Sequence, residues 1–367
     1  MNELPRWEAV ARLGACFEEV YLMKWSRGRL RNGAAAVAAA LVTMGITVVP
    51  AADAARGPGA ADTSLAGRRI LLVNDDSVQA AKANGADGRG LYLLRSALCR
   101  AGADVVVVGP WAQQSGRSRA SASSPQVTVG PPTALPQGFA GDCATAPTRG
   151  AVLGVCQGGD PCGPASASVT PADAADLALS ALLADRFGWS GGPDLVFSGI
   201  NSGANTDVAI NLSGTVGAAV AATEHGIPAV AVSAGTRATS VPDDTTYAAA
   251  ARYAAGLAGR LLARGGGPRL VKDSAILNIN CPDVRPGASP APEWTDAGQV
   301  ALDRFSYAQS GADTYRMSFG PVRPAPAPDP RSDTAALLGG NISVGAVSVN
   351  RDASADGRWL SGLVPEH

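Results

Sequence analysis

Two adjacent carboxylates, Asp75 and Asp76, are the residues whose type and spacing most directly indicate chemistry. They follow Asn74 and a short apolar run over residues 70–73, which is typical of a buried strand. Carboxylates at the end of such a strand can bind a hard divalent cation, because oxygen-rich sites favour Mg²⁺, Mn²⁺ or Ca²⁺ over zinc. The structural alternative is an acidic turn that only terminates the strand.

Three further polar segments lie after an apolar run or at the start of a helical pattern. Residues 198–205 are rich in Ser, Gly and Asn, residues 213–215 open a helical pattern, and residues 114–118 follow another apolar run. Free N–H groups and the dipole at a helix start favour an anion. Each segment also has an ordinary interpretation, as a helix cap or a solvated loop. A parallel sheet would bring all four segments to one edge, which makes the combination a candidate site.

The composition narrows the chemistry that this site can use. The chain has 367 residues, 46% hydrophobic and 17% charged, with a formal net charge of -1. A near-zero charge argues against a protein that binds duplex nucleic acid by neutralising phosphates. The two histidines, His225 and His367, nearly exclude multi-histidine zinc sites. A Ser-His-Asp triad would have to use His225, which we interpret as a structural residue in the last turn of a helix, so carboxylates, hydroxyls and amides must act.

From residue 69 the sequence alternates between short apolar runs and helical patterns. The runs predict strands over residues 70–73, 105–108, 195–197, 229–232 and 276–279. The patterns predict helices over residues 90–101, 171–187, 214–225 and 245–263. The second helix has Thr170 as its N-cap and Pro171 at its first position. This order predicts an α/β fold with a doubly wound, mostly parallel sheet and a site at the carboxyl ends of its strands.

Two stretches interrupt the alternation. Residues 131–164 contain three cysteines and are interpreted as a loop insertion. Residues 282–333 are proline-rich and predict a protruding hairpin arm, with strands near 299–305 and 315–319, before a closing strand at 341–349. We therefore expect one domain over residues 69–350, followed by a C-terminal tail at 351–367.

The N-terminal region has the three parts of a secretory signal. Basic residues between Lys24 and Arg31 precede an uncharged run over residues 32–52, and a small-x-small site ends at Ala54. We expect residues 1–54 to be an extension and signal peptide, residues 55–68 a linker, and the mature protein to be secreted, outside the cell or into its envelope. A membrane anchor is the alternative, which the alanine-rich run disfavours.

Cysteine usage agrees with export. Five cysteines remain after cleavage, and three of them, Cys143, Cys156 and Cys162, lie in residues 131–164. We expect a disulfide between two of these three, with the choice of pair open, and a free thiol at the helical Cys99. A zinc knuckle is the alternative, which no Cys-x-x-Cys pair supports.

Taken in order, these motifs resemble the SurE family of metal-dependent 5′/3′-nucleotidases, the stationary-phase survival acid phosphatases. The matching segments are residues 70–76, 115–116, 170–173, 198–205, 213–216 and 277–280. They include Asn-Asp-Asp after the first strand, Ser-Gly-Ile-Asn-x-Gly-x-Asn and Ser-Gly-Thr-Val. The resemblance extends over roughly residues 69–350, and several ordered motifs make it specific.

The resemblance implies a site and a reaction. One divalent metal, Mg²⁺ or Mn²⁺ with Ca²⁺ as an alternative, would be held by Asp75, Asp76, Ser115 and Asn201. The residues that would bind phosphate or support the acidic pair are Asn74, Asn205, Ser213, Gly214 and Thr215. The expected reaction is hydrolysis of nucleoside 5′/3′-monophosphates to nucleoside and phosphate, with a metal-activated water as nucleophile and one of the two aspartates as its base.

The resemblance also implies an assembly. The family's arm exchanges between subunits, so residues 282–333 are expected to form an oligomerisation arm in a homodimer or a dimer of dimers. No stable membrane association is expected after cleavage.

Several positions depart from the family pattern. Ser77 stands where a glycine usually follows the acidic pair, Gln113-Gln114 where a basic residue commonly precedes the serine, and Asn341 where an aromatic is found. These departures leave the metal ligands intact. They keep open a general acid phosphatase without nucleotide preference, and an exported protein that binds metal and a phosphoryl ligand without turnover.

Other folds that bind phosphoryl groups fit the sequence less well. A haloacid-dehalogenase phosphatase needs Asp-x-Asp, whereas Asp75 and Asp76 are adjacent. A Rossmann dinucleotide binder needs a Gly-x-Gly-x-x-Gly turn after its first strand, and residues 74–79 do not have one. A cysteine phosphatase would use Cys143 and Arg149, a spacing that arises easily by chance.

Overall fold

The central strands of this protein form where the sequence has short apolar runs. A computed structural model describes residues 64–80, 88–236 and 241–350, so the predicted signal segment and the predicted tail lie outside the described residues. The strands in chain order are β1 (Arg69–Val73), β2 (Asp104–Pro110), β3 (Val127–Gly130), β4 (Val152–Gln157), β5 (Leu195–Ser202), β6 (Ala229–Ala234), β7 (Ala275–Cys281), β8 (Pro292–Trp294), β9 (Asp303–Gly311), β10 (Thr314–Pro321) and β11 (Ile342–Ser348).

Nine of these strands form one sheet among the described residues, in the order β3-β4-β2-β1-β5-β6-β7-β11-β8. The pairs from β4 through β2, β1, β5 and β6 to β7 are all parallel. β3 and β11 pair antiparallel to β4 and β7 at the two sides of this parallel centre. Strand β2 is buried along its whole length, as expected where helices cover both faces. The predicted doubly wound, mostly parallel sheet is confirmed.

The strand order places a topological switch point beside β1. After β1 the chain adds β2 and then β4 on one side, and it returns with β5 on the other side. In such sheets the crevice at the carboxyl ends of the two strands flanking the switch is the usual ligand site. The turn after β1 and the end of β5 both lie at this crevice.

Helices cover both faces of the sheet. They are α1 (Arg89–Arg100), α2 (Pro171–Leu177), α3 (Leu183–Phe187), α4 (Gly214–Glu224), α5 (Asp244–Ala263), α6 (Gly266–Lys272) and α7 (Asp333–Leu338). One apolar cluster lies under α1 and α5 and another under α2 and α4. Within the described ranges, no helix combines the length and apolarity that a membrane span needs.

Local sequence explains where the helix at residue 171 begins and how it continues. The Thr170 hydroxyl accepts from the Asp173 backbone N–H, and the Asp173 carboxylate accepts from the Thr170 N–H, which completes a capping box. A π-helical turn, Ala178–Leu182, then joins α2 to α3. The single helix predicted over residues 171–187 is therefore present, with one wider turn.

The cysteine-containing segment at 131–164 is more than a loop, because it contains the sheet strand β4. Gly154 divides the apolar run of this strand, which hid it from the sequence pattern. The buried guanidinium of Arg95 in α1 donates to the carbonyls of Phe139 at 2.9 Å and Gly150 at 2.6 Å. These bonds hold the segment before β4 against the body of the sheet.

The domain also begins slightly earlier than predicted. Leu65, assigned to the linker, is fully buried, and its N–H donates to the Ala101 carbonyl at 2.8 Å. The hairpin arm is present as the antiparallel pair β9 and β10. Its first strand, Asp303–Gly311, begins and ends later than the predicted 299–305. The later end arises because pairing with β10 continues past the apolar residues.

The disulfides correct one prediction. Cys156 pairs with Cys162, as expected for two of the three clustered cysteines. Cys99 is not free, since α1 places it beside Cys143 and the two form a disulfide. The free thiol in the described part of the chain is the buried Cys281, where burial raises the pKa to about 12 and keeps the unreactive thiol form.

Removal of the Cys99–Cys143 disulfide should destabilise the protein more than removal of the Cys156–Cys162 disulfide. The first bond joins residues 44 apart and the second residues 6 apart, and the denatured chain gains more freedom when the longer loop opens. We expect the Cys99→Ala/Cys143→Ala variant to lose about 3–4 kcal/mol in urea unfolding, and Cys156→Ala/Cys162→Ala about 2 kcal/mol. Equal losses, or unchanged stability after the first pair is removed, would contradict the assigned pairing.

Candidate functional site

The acidic pair lies in the turn directly after β1, at the switch point of the sheet. Asn74, Asp75 and Asp76 are all buried. The chain then turns through Ser77, whose φ of 78° lies in the left-handed region that favours glycine. A glycine, the residue that the resemblance leads us to expect here, would adopt this backbone conformation without strain. The Ser77 hydroxyl accepts from the Gln79 N–H at 3.1 Å, a local bond that offsets part of the strain.

The first turn of α4 holds the Asp75 carboxylate. The Thr215 hydroxyl donates to one carboxylate oxygen at 2.7 Å, and the Thr215 N–H donates to the other at 3.1 Å. Ser213 is the N-cap of α4 and accepts from the Val216 N–H at 3.1 Å. A helix N-terminus favours a negative charge, so α4 stabilises the ionised form of Asp75.

Burial nevertheless raises the pKa of Asp75 above its ordinary value, and the donors of Thr215 oppose this effect. The net direction means that the protein without ligands carries a cost for ionising Asp75 at neutral pH. A cation next to this carboxylate would remove that cost. The pair is therefore arranged to bind positive charge.

Close packing between α4 and the acidic turn requires a glycine. A Cβ at Gly214 would lie 2.9 Å from an Asp75 carboxylate oxygen and 3.1 Å from the Pro171 ring. Any side chain here would push the helix away from the carboxylate that it stabilises. The Ser-Gly-Thr motif thus combines a cap, a close approach and a donor in three residues.

Strand β5 provides the opposite wall of the crevice. The Ser202 N–H donates to the Asp76 carboxylate at 2.7 Å. The register of β5 against β6 shifts between Ser198 and Asn201, and a Cβ at Gly199 would lie 2.2 Å from the Val232 carbonyl. Only glycine allows this irregular strand end, which places Asn201 next to Ser202, the residue that contacts the acidic pair.

Several buried polar atoms around the pair have no partner among the described residues. They are both side-chain heteroatoms of the Asn74 amide, the Asn201 side-chain oxygen and the Ser198 hydroxyl. Such atoms are costly unless a ligand satisfies them. Two carboxylates with neutral oxygens suit a hard divalent cation, and no cluster of three His, Cys, Asp or Glu side chains competes for one in the described ranges. The residues present fit the predicted cation.

The structure brings the predicted serine loop to the same turn. The Gln114 N–H donates to the Asp75 carbonyl at 2.8 Å, which places the next residue, Ser115, at the crevice on an exposed loop. A Cβ at Gly217 would lie 1.9 Å from the Ser118 carbonyl, so this loop also packs closely on α4. No contact between the Ser115 side chain and the aspartates is seen, and its role as a ligand stays a prediction.

Asn205 is held by side chains to which the sequence analysis gave no role. Its N–H donates to the Asn280 side chain at 2.8 Å, its carbonyl accepts from the Asn278 side chain at 2.9 Å, and its own amide nitrogen donates to the Ser233 hydroxyl at 2.9 Å. Alternating asparagines in an apolar strand are the signal that marks this network. The network fixes the loop between β5 and α4.

A second pair of buried carboxylates supports the same loop. The Asp207 N–H donates to both carboxylate oxygens of Asp333, at 3.2 Å and 3.1 Å. The Asp207 carboxylate accepts from the hydroxyl of Thr334 and from the Val300 N–H. Burial raises the pKa of Asp333, which its N–H donors oppose. Residues 207 and 333 lie far apart in the sequence, so no local signal points to this pair.

The amino-acid sequence is similar to those of one family of known proteins. The family model described as "Survival protein SurE" matches residues 70–304. The chain is 32% identical over 302 residues to the 5′-nucleotidase SurE of Stenotrophomonas maltophilia, an alignment that covers 80% of this chain and 96% of the relative. It is 39% identical over 170 residues to the 5′-nucleotidase SurE of Solidesulfovibrio magneticus, and here the aligned part covers 45% of this chain and spans about half (50%) of that relative.

A solved structure agrees in fold. The crystal structure of the SurE protein from Aquifex aeolicus superposes with a TM-score of 0.54 at 22% sequence identity, over 80% of this chain and 99% of that chain. At this identity the likeness concerns the architecture of the sheet and its helices.

Replacement of the Thr215 hydroxyl should destabilise the protein in a pH-dependent way. Thr215→Val removes one donor from the buried Asp75 carboxylate, and we expect a loss of about 1–3 kcal/mol in urea unfolding at pH 7 in EDTA. The hydroxyl lowers the pKa of Asp75, so without it the raised pKa rises further. A raised carboxyl pKa costs stability above that pKa and costs nothing once both states are protonated, so the loss should shrink towards pH 4.

The matched control is Thr215→Ser, which keeps the hydroxyl and should stay close to the parent at both pH values. If Val and Ser variants lose the same stability, or if the Val variant loses as much at pH 4 as at pH 7, the hydroxyl does not stabilise the ionised carboxylate.

Proposed function

This chain belongs to the SurE family, and on that premise we propose that it hydrolyses nucleoside 5′- and 3′-monophosphates to nucleoside and inorganic phosphate with one divalent cation as cofactor. The observation that carries the proposal is the placement of Asp75 and Asp76 at the switch point, between the first turn of α4 and the end of β5. The relatives named 5′-nucleotidase support the substrate class.

The residues that would hold the cation are Asp75, Asp76, Ser115 and Asn201. The bound cation, Mg²⁺ or Mn²⁺ with Ca²⁺ as an alternative, would polarise a phosphoryl oxygen and make water a better nucleophile at neutral pH. Asp75 and Asp76 would supply the negative charge, and the unpartnered side-chain oxygen of Asn201 would be a neutral ligand of the cation.

The chain's own donors would orient the phosphoryl group. Ser213 and Gly214 open α4, where the helix dipole favours a phosphate oxygen. Asn205 and Asn74 add amide groups at the same edge, and Asn205 is fixed by the asparagines of β7. Fixed donors of this kind stabilise charge that develops in the transition state without reorganisation. One carboxylate of the acidic pair would accept the proton of the attacking water.

A phosphate at α4 would share its donors with Asp75, because Thr215 uses both its N–H and its hydroxyl on that carboxylate. Thr215 would therefore orient the Asp75 carboxylate, and it would affect the substrate only through that carboxylate. This differs from the direct phosphate contact that the sequence motif suggests, and it is the reason that we assign Thr215 to positioning.

Export is part of the proposal. Two disulfides in the described part of the chain support folding in an oxidising compartment. The predicted signal at residues 1–54 and cleavage near Ala54 agree with a secreted protein.

Phosphate release tests the reaction. The purified protein is stripped of metal, refilled with Mn²⁺, Mg²⁺ or Ca²⁺, and assayed on 5′-AMP, 3′-AMP and an aryl phosphate. We expect metal-dependent turnover, and a loss of at least about a hundredfold in kcat/KM for Asp76→Asn, since the variant removes one charge from the cation site.

The matched control is Asp185→Asn on the exposed surface of α3, which should keep full activity. Turnover without any metal, or an Asp76→Asn variant as active as the control, would contradict the proposal. Tight binding of nucleotides by a folded protein without turnover would favour the alternative of a phosphoryl-binding protein. Equal activity on the aryl phosphate would favour a general acid phosphatase.

The arm presents an apolar face that the described part of the chain does not cover. Cross-strand pairing puts Phe305 opposite Phe319 and Tyr307 opposite Met317, with Tyr315 on the same face. Tyr307 is 65% exposed and Met317 57%. A two-stranded hairpin is marginally stable alone in water, so a second surface is needed. We propose that a second copy of the chain covers this face, in a homodimer or a dimer of dimers.

Charge on the apolar face of the arm should separate the subunits. The Tyr307→Glu/Met317→Glu variant is expected to raise the dimer dissociation constant at least about tenfold, because two charges would have to be desolvated. Light scattering over a dilution series measures this. Ala308→Glu, on the opposite face and paired with Arg316, is the control and should leave the parent mass unchanged. A monomeric parent, or equal dissociation of both variants, would refute the assembly.

A further inference from the structure

A recess with uncharged walls lies beside the acidic turn, towards β4. Its volume is about 520 Å³, and its lining includes Trp111, Gly130, Pro131, Thr133 and Cys162. None of the ten residues that line it is charged. A recess of this size and polarity is typical of a site for a small organic group.

The walls of the recess are held rigidly. The Trp111 ring packs on Gly154, where a Cβ would come within 2.7 Å of it, and its indole N–H donates to the Gly163 carbonyl at 2.8 Å. The Cys156–Cys162 disulfide ties the loop that carries this carbonyl to β4. The indole is thereby fixed in place before any ligand arrives.

Hydrogen bonds of Gln79 connect the recess to the segment that follows the acidic turn. The Gln79 side chain donates to the Trp111 carbonyl at 3.2 Å and accepts from the Thr133 N–H at 3.1 Å, so it joins two walls of the recess. Gln79 lies three residues after Asp76. After β2, the chain runs from Trp111 to Gln114, and the Gln114 N–H donates to the Asp75 carbonyl at 2.8 Å. The same two short segments therefore position the acidic pair and the recess.

We propose that this recess binds the base of the nucleotide while its phosphate lies at Asp75 and Asp76; this inference rests on the proposed function. A base is flat and uncharged, so it can stack on aromatic and proline walls without desolvating a charge. Leaving groups that carry charge would lose hydration here without an opposite charge in return. The recess therefore selects nucleotides over phosphomonoesters with small or charged leaving groups.

Filling the recess tests the assignment. Gly130 pairs with Gly154 across β3 and β4, so a side chain at Gly130 would lie on the same face of the sheet as the Trp111 ring. No atom lies within 4 Å of a Cβ at Gly130. We expect Gly130→Phe to raise KM for 5′-AMP and 5′-UMP roughly tenfold or more, the order expected for loss of one stacked base. KM for ribose 5-phosphate, which has no base, should stay within about twofold of the parent, and kcat should stay unchanged for all three substrates.

Two further variants make the result interpretable. Gly141→Phe is the matched control, since its Cβ position is also open but lies outside the recess. Thr133→Trp fills the recess from its other wall and replaces Gly130→Phe if that variant does not fold. Calorimetric binding of 5′-AMP and ribose 5-phosphate to each variant provides a readout independent of turnover.

The outcomes separate the two proposals. Weaker binding of 5′-AMP with unchanged binding of ribose 5-phosphate supports the recess as the base site. Equal changes for both ligands, no change for either, or the same change in Gly141→Phe would overturn it. Absence of turnover by the parent, with selective loss of 5′-AMP binding in the filled variants, would refute the proposed hydrolysis and retain the base site.

Discussion

The candidate site depends on one interaction, the contact between the Asp75 carboxylate and the first turn of α4. A buried carboxylate is costly unless donors stabilise its charge, and here Thr215 donates twice, from its backbone and from its side chain. That contact needs the closeness that Gly214 allows and the helix start that Ser213 caps. It also needs β1 and α4 to meet at one edge, which the doubly wound strand order ensures.

The remaining site elements are arranged around that contact by polar groups in the core. Between β5 and α4 the chain has little regular structure, so side chains of distant elements hold its backbone. Asn278 and Asn280 in β7 bind both polar groups of the Asn205 backbone, and Asp333 in α7 binds the N–H of Asp207. Each bond satisfies a polar group that would otherwise be buried unpaired. These bonds hold the loop, which has one short 3₁₀ turn at Asp207–Asn211, in a fixed position, as a preorganised site requires.

The sequence predicted best what depends on local pattern. Apolar runs located the parallel strands β1, β2, β5, β6 and β7, and Thr170 and Pro171 located a helix start. The four polar segments were expected at one sheet edge, and contacts of Gln114, Ser202 and Thr215 bring them to the acidic pair. Prediction failed where distant residues meet. Cys99 was expected to be free, because its partner Cys143 lies 44 residues away and only the packing of α1 brings them together. Strand β4 escaped notice because Gly154 interrupts its apolar run, although that glycine is what lets Trp111 pack on the sheet.

In the proposed function, the chemical step and the choice of substrate would use different parts of this fold. Hydrolysis of a phosphomonoester concerns the phosphorus atom, and the crevice between β1, β5 and α4 contains the groups that could act there whatever the leaving group is. Discrimination must come from contacts farther along the substrate. Beside the crevice lies the segment that the sequence pattern marked as an insertion, and its disulfide and proline-rich walls place Trp111 at a fixed position. In the proposed base site, changes in the added segment would alter which substrate is held, while Thr215 and Ser202 continue to hold the two carboxylates.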